Sequence, residues 1–172
     1  MRNFLFLSFV IVLFFSCKTE KKEETNTFKE TTIYYLIRHA EKDRSTSGQD
    51  PILTEKGLER SVNWAKVFRS KKLDQIYSTD YKRTQQTALP TATEKNLEIQ
   101  SYNPDKLYDE DFNRETKGKT VLIVGHSNTT PAFVNAIIGK QKYGDINDSD
   151  NGKLYKVSLT KNDTLVTIED HN

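Results

Sequence analysis

The sequence predicts an α/β fold: a three-layer sandwich whose mostly parallel central sheet carries helices on both faces and ends in a C-terminal antiparallel hairpin. Three observations predict it. From residue 32 onward, short apolar runs rich in β-branched residues alternate with helix-patterned segments, the order in which a parallel sheet is wound. Two of the runs, 33–37 (Ile-Tyr-Tyr-Leu-Ile) and 121–125 (Val-Leu-Ile-Val-Gly), are apolar without alternation, as strands buried on both faces are. Each run stops abruptly on histidine, in Arg38-His39-Ala40-Glu41 and in His126-Ser127-Asn128, although the chain has only 3 histidines. Ligands of open α/β sheets bind beyond the carboxyl ends of the strands, so His39 and His126 are expected to meet in one anion-attracting crevice. That predicts phosphate chemistry.

The elements follow in order along the chain. The first strand covers 32–38, and a polar loop with an Asp50-Pro51 turn covers 42–53. Thr54 reads as an N-cap, with Leu53 and Leu58 as a hydrophobic staple across it. The helix it opens runs from Glu55 to about Ser70 and is expected to bury Leu58, Val62, Ala65 and Phe68, with Trp64 in the core. Residues 74–78 form a short second strand. Thr79 or Asp80 is expected to cap a helix from about Tyr81 to Lys95, which Pro90 should kink or split. Leu97 to Tyr102 alternates as a third strand at an edge would. Pro104 opens a polar, weakly helical stretch to about Thr116. Lys119 to Gly125 is the fourth strand and Asn128 to Ile138 the next helix, with Pro131 in its first turn and Gly139 closing it. After a Gly/Asn/Asp-rich loop at 140–152, Lys153 to Thr160 and Thr164 to Glu169 form the hairpin. His171 reads as an unstructured tail residue.

The first 30 residues read differently. Arg2 precedes an apolar stretch from Phe4 to Phe15, too short to span a bilayer and suited to the core of a signal peptide. Phe14-Phe15-Ser16-Cys17 resembles a bacterial lipobox, which makes residues 1–16 a lipoprotein signal peptide and Cys17 the lipidated residue. Residues 17–30, rich in Lys, Glu and Thr, read as a flexible linker, and 31–172 as one domain. Cys17 is the only cysteine, so no disulfide supports the fold. The expected setting is a bacterial cell envelope, periplasmic or surface-facing, with the domain lipid-anchored to the membrane and monomeric. Net charge is +2 with both signs interspersed, so no nucleic-acid partner is expected.

Phosphoryl transfer needs a nucleophile, fixed positive charge on the non-bridging oxygens, and a proton for the leaving group. Arg38 and His39 sit together at a strand exit. Arg83 falls in the first turn of a helix, where its guanidinium adds to the field of the N-terminus. A metal site is disfavoured: His39 and His126 lack a third convincing ligand, and both arginines would repel a cation. Other basic residues near the site, Lys42 and Arg44, read as solvated loop side chains.

These residues carry a family resemblance. Arg38-His39-Ala40-Glu41, Leu53-Thr54-x-x-Gly57, the segment around Arg83 with Thr87-Ala88, and Gly125-His126-Ser127 occur in the order of the histidine phosphatase superfamily, also called phosphoglycerate mutase-like. The chain resembles it over residues 32–140. The resemblance implies a metal-independent hydrolase without cofactors, in which His39 forms a phosphohistidine that water cleaves. Arg38, Arg83 and His126 would bind the phosphate and stabilise the transition state, with phosphorylated small molecules or phosphoproteins as substrates. Thr79 stands where the family more often has serine. Members acting on phosphorylated sugars and glycerates carry a glutamate proton donor after the third strand. Here Ile99-Gln100-Ser101-Tyr102-Asn103-Pro104-Asp105 lacks that motif, leaving Glu41, Asp105, Asp109 or no residue in the role. The alternative is a non-catalytic lipoprotein of the same fold that binds phosphate or another anion.

Overall fold

The computed structural model describes residues 31–45 and 47–172. The expected signal peptide, Cys17 and the linker lie outside the described residues. Ten elements follow Thr31: β1 (Thr32–Arg38), α1 (Glu55–Phe68), β2 (Gln75–Ser78), α2 (Lys82–Lys95), β3 (Ile99–Ser101), α3 (Glu110–Thr116), β4 (Thr120–Gly125), α4 (Thr129–Ile138), β5 (Lys153–Leu159) and β6 (Thr164–Asp170). They build one sheet in the order β3-β2-β4-β1-β5-β6. β3, β2, β4 and β1 are mutually parallel, and β5 and β6 add antiparallel pairs on the far side of β1. The predicted sandwich and its terminal hairpin are both present.

The unbroken apolar runs of β1 and β4 are explained by two cores, one on each face. Tyr34 and Leu36 of β1, with Val121 and Ile123 of β4, pack under Phe112 of α3 and Phe133, Val134 and Ile137 of α4. Tyr35 and Ile37, with Leu122 and Val124, face Trp64 and Phe68 of α1 and Ala88 and Ala92 of α2. Successive side chains leave a strand on opposite faces, so a strand covered on both sides is apolar throughout. β1 and β4 therefore lie at the centre, with both their carboxyl ends at one rim.

Four expectations need correction. Thr54 does cap α1, its hydroxyl accepting from Gly57 N at 3.1 Å, but the buried face of α1 is Gly57, Ser61, Trp64, Ala65 and Phe68. Leu58 and Val62 are 47 % and 48 % exposed, so Leu58 forms no closed staple with the buried Leu53. The sequence pattern placed the core stripe one step round the helix because small residues, not leucines, let α1 approach the loop beneath it. Neither Thr79 nor Asp80 caps α2. Tyr81 holds the N-cap position, and the side chain that caps the helix is Asp50, whose Oδ1 accepts from Lys82 N at 2.9 Å. Pro90 lies within α2 without splitting it. His171 is packed rather than loose: its N donates to Gly152 O at 2.9 Å, and its ring meets Trp64 edge-on at 5.2 Å.

Candidate functional site

Strand pairing delivers His39 to the rim. Arg38 is opposite Gly125 in the β1–β4 ladder, and His39 N still donates to Gly125 O at 2.9 Å. Beyond that bond the backbone is held by side chains. Thr87 Oγ1 accepts from Ala40 N at 2.9 Å, and the buried Asn151 donates through Nδ2 to His39 O at 2.8 Å. The His39 ring lies with Nδ1 at 2.7 Å from the Ala40 carbonyl. A carbonyl only accepts, so Nδ1 carries the proton and Nε2 keeps its lone pair. Burial, with repulsion from Arg38, His126 and Arg83, pushes the pKa of His39 down to about 3. The imidazole is neutral and oriented, with its lone pair on Nε2.

Arg38 is clamped from a distant part of the chain. Its Nη1 donates to the carbonyls of Asn147, Asp148 and Asp150 at 2.9–3.0 Å, and its Nη2 to Asp148 Oδ1 at 2.7 Å. Nε is buried without a partner. With Nη1 saturated, the edge left for a ligand is the one formed by Nε and Nη2, the edge that takes two phosphate oxygens side-on. The clamp is tied to the β4 exit through Ile146 N, which donates to Ser127 O at 2.9 Å.

His126 stands opposite His39, the ring centroids 5.5 Å apart at 67°. Its Nδ1 faces Arg83 Nη2 at 3.4 Å and its Nε2 lies 2.9 Å from Thr79 Oγ1. A guanidinium only donates, so Nδ1 is the bare nitrogen and Nε2–H donates to Thr79. Thr79 in turn is 3.0 Å from the Thr84 hydroxyl. Burial, then the charges of Arg83, Lys42 and Arg38, lower the pKa of His126 to about 4. The ring is therefore neutral at neutral pH. A bound dianion would oppose that shift. Arg83 stacks on Tyr81 at 4.3 Å, and its Nε and Nη1 are buried without hydrogen-bond partners. Asp50 lies 3.6 Å from that Nη1, an ion pair too long for a hydrogen bond.

The rim thus gathers all four predicted pocket residues, which line two neighbouring clefts. One, of about 170 Å³, is lined by Arg38 and His39; the other, of about 490 Å³, by Arg83 and His126. The proton-donor candidates separate. Although burial resists ionisation of Glu41, hydrogen bonds from Arg60 at 2.9–3.1 Å outweigh it and hold the carboxyl below its ordinary range. Asp109 is occupied as the N-cap of α3, accepting from Phe112 N at 2.9 Å. Asp105 lines the larger cleft beside His126. Among the described residues, no three His, Cys, Asp or Glu side chains gather as a cation site requires.

Sequence reasoning missed Asn151, the 147–150 clamp and Asp50, and gave Thr79 little weight. Only Thr79 carried a usable signal, its place at the exit of the second strand beside the arginine motif. The others lie far from the motifs in sequence, in loops whose composition reads merely as turn-forming.

Residues 34–103 match the model of the histidine phosphatase superfamily (branch 1), a span holding Arg38, His39 and Arg83 and ending before His126. Phosphoserine phosphatase 1 of Hydrogenobacter thermophilus is 41% identical over 69 residues, 37% of this chain and 33% of that protein. The matched segment thus spans a third of the curated relative. Among solved structures, YhfR of Bacillus stearothermophilus superposes with a TM-score of 0.63 at 18% identity, over 82% of this chain and 98% of that one. A mycobacterial glucosyl-3-phosphoglycerate phosphatase gives 0.60 at 14%, over 83% and 99%. At such identities the likeness is one of fold. Residues 34–103, from β1 to just beyond β3, are therefore similar to the histidine phosphatase superfamily, and the chain shares its fold with the solved phosphatase.

Proposed function

We propose that this chain is a metal-independent phosphatase working through a phosphohistidine on His39. The observation that carries the reading is the fixed state of His39: Nδ1–H tied to the Ala40 carbonyl, Nε2 unprotonated, and unpartnered guanidinium nitrogens of Arg38 and Arg83 at the same rim. In the first step Nε2 attacks phosphorus, the bond from phosphorus to the leaving group breaks, and the departing oxygen leaves with the bonding electron pair and takes a proton from solvent water. In the second, water attacks phosphorus, the N–P bond breaks, and inorganic phosphate leaves with His39 restored. Arg38 and Arg83 hold the non-bridging oxygens, each charged hydrogen bond contributing roughly 1.5–3 kcal/mol. His126 stabilises the transferring group opposite the nucleophile. Phosphorylated small molecules or phosphoproteins are the proposed substrates, supported by a phosphoserine phosphatase and a glucosyl-3-phosphoglycerate phosphatase among the similar proteins.

The test is hydrolysis of p-nitrophenyl phosphate in EDTA by the full chain and by His39→Ala. The expected result is turnover by the wild type that survives EDTA and is lost in the variant, with an acid-labile, alkali-stable phosphohistidine trapped by alkaline quench and seen by mass analysis only in the wild type. Binding of phosphate without turnover in either protein would favour the non-catalytic anion-binding reading instead.

The proposed setting is a monomer lipid-anchored through Cys17 in a bacterial envelope, facing the periplasm or the surface. It is supported by the apolar stretch that ends at that cysteine and the polar linker after it. Expressed in a bacterium, the chain should partition into a detergent phase and incorporate labelled palmitate, and Cys17→Ser should abolish both. A Cys17→Ser variant that still takes up palmitate overturns the assignment.

A further inference from the structure

A loop lysine is ordinarily solvated, but Lys42 has distinctive surroundings. Its backbone is not free: Asp43 N donates to Ile52 O at 2.8 Å and Thr54 N to Glu41 O at 2.9 Å, framing an antiparallel bridge between Lys42 and Leu53. Leu53 is pinned in turn to α2, its N donating to Gln86 Oε1 at 2.8 Å. From this fixed base the half-buried Lys42 side chain lines the cleft that holds Arg38 and His39.

Every other Lys or Arg lining the two clefts is ion-paired with a carboxylate. Arg38 and Arg44 share Asp148 at 2.7 and 2.5 Å, Lys56 lies 3.5 Å from Glu41, and Arg83 lies 3.6 Å from Asp50. Lys42 has neither ion pair nor hydrogen bond among the described residues. Instead it sits in a positive field. Burial, with Arg44, Arg83 and Arg38, outweighs the favourable charge of Asp148 and disfavours the charged form, and Lys42 itself is among the charges that lower His126. Its ammonium therefore acts on both sides of the site. A partly desolvated ammonium facing guanidiniums without an ion-pair partner is destabilising, and a dianion placed between these cations adds an attraction to each that offsets their mutual repulsion.

We infer that Lys42 is a further phosphate-binding residue, its ammonium taking a non-bridging oxygen of the phosphoryl group on the His39 side. This rests on the phosphatase reading for its chemistry but on anion binding for its proof. The point charge of a lysine suits the task, since it adds attraction without demanding the planar geometry that Arg38 and Arg83 already supply.

The experiment compares the full-length wild type, Lys42→Met and Lys42→Arg by three measurements: calorimetric affinity for inorganic phosphate, p-nitrophenyl phosphate kinetics, and melting with and without phosphate. Loss of one charged hydrogen bond should raise the phosphate Kd of Lys42→Met about tenfold or more and lower kcat/KM in parallel. Its phosphate-free melting temperature should equal or exceed that of the wild type, an outcome opposite to the loss of a structural side chain. Lys42→Arg should retain most of the affinity. Wild-type affinity in Lys42→Met overturns the inference, as does a lower phosphate-free melting temperature that Lys42→Arg does not restore. Should the wild type bind phosphate without hydrolysing it, the phosphatase reading fails while the Kd comparison still decides the role of Lys42.

Discussion

At the scale of single residues, the site is set by hydrogen bonds that choose protonation states. The Nε2–H tautomer of His126 depends on Thr79, its 2.9 Å partner. Thr79→Val keeps the shape and removes the acceptor, a net loss of about 0.5–1.5 kcal/mol. The expected result is a three- to tenfold lower kcat on p-nitrophenyl phosphate, by about that energy, with the fold unchanged by circular dichroism. The two depressed histidines also make a stability prediction. Their native pKa values, about 3 and about 4, lie below the ordinary 6.5. Between those limits the unfolded chain binds protons that the native state refuses, so stability present above pH 6.5 is lost as pH falls. Melting temperature should therefore decline from pH 7 to pH 5, and His39→Ala/His126→Ala should decline less over the same range. An equal decline in both proteins would refute this account. Of the residues involved, His39, Arg38, Arg83 and His126 were legible because each sits in or beside a strand exit or helix start with a recognisable neighbour. Asn151 and Asp148 were not, because they reach Arg38 and His39 from more than a hundred residues away, and no local pattern encodes such a meeting.

Elements position the site through close approach and capping. Gly57 is a clear case: a Cβ there would stand 2.3 Å from the carbonyl oxygen of Glu41, two residues beyond His39. The glycine in Leu53-Thr54-x-x-Gly57 thus lets α1 lie directly on the loop that follows His39. Gly57→Ala should cost about 1–3 kcal/mol by overpacking and lower kcat more than it raises KM, measured by melting and steady-state kinetics. At the start of α2, Asp50→Ala removes the carboxylate that caps Lys82 and pairs with Arg83. An N-cap is worth about 1 kcal/mol, so the melting temperature should fall by about 2–4 °C for a domain of this size. The helices and strands themselves were readable to within a residue or two, because buried strands and Thr54-type caps are local signals; the exception is α3, which begins at Glu110 rather than at Pro104. The buried face of α1 was not, since burial of Gly57 and Ser61 follows from what lies beneath the helix rather than from its own hydropathy.

For the molecule as a whole, the order β3-β2-β4-β1-β5-β6 follows from alternating strands and helices plus one terminal hairpin, and that much the chain announces. The exposed outer strand β6, with Leu165 58 % and Ile168 46 % exposed, is where substitution should matter least. Leu165→Thr should change stability by no more than about 0.5 kcal/mol and leave turnover intact. The centre of the sheet is the opposite. β1 and β4 present unbroken apolar runs at 33–37 and 121–124, so sliding one past the other by two residues would keep apolar side chains on the same two faces over most of their length. It would also carry His39 and His126 apart by roughly 6.6 Å along the strands, more than the 5.5 Å that now separates their rings. Packing is nearly blind to that slip, whereas chemistry across the rim is not. Turnover is therefore expected to be sensitive to strand register: a sheet aligned one pleat out of place would keep its secondary structure and lose the meeting of His39 and His126.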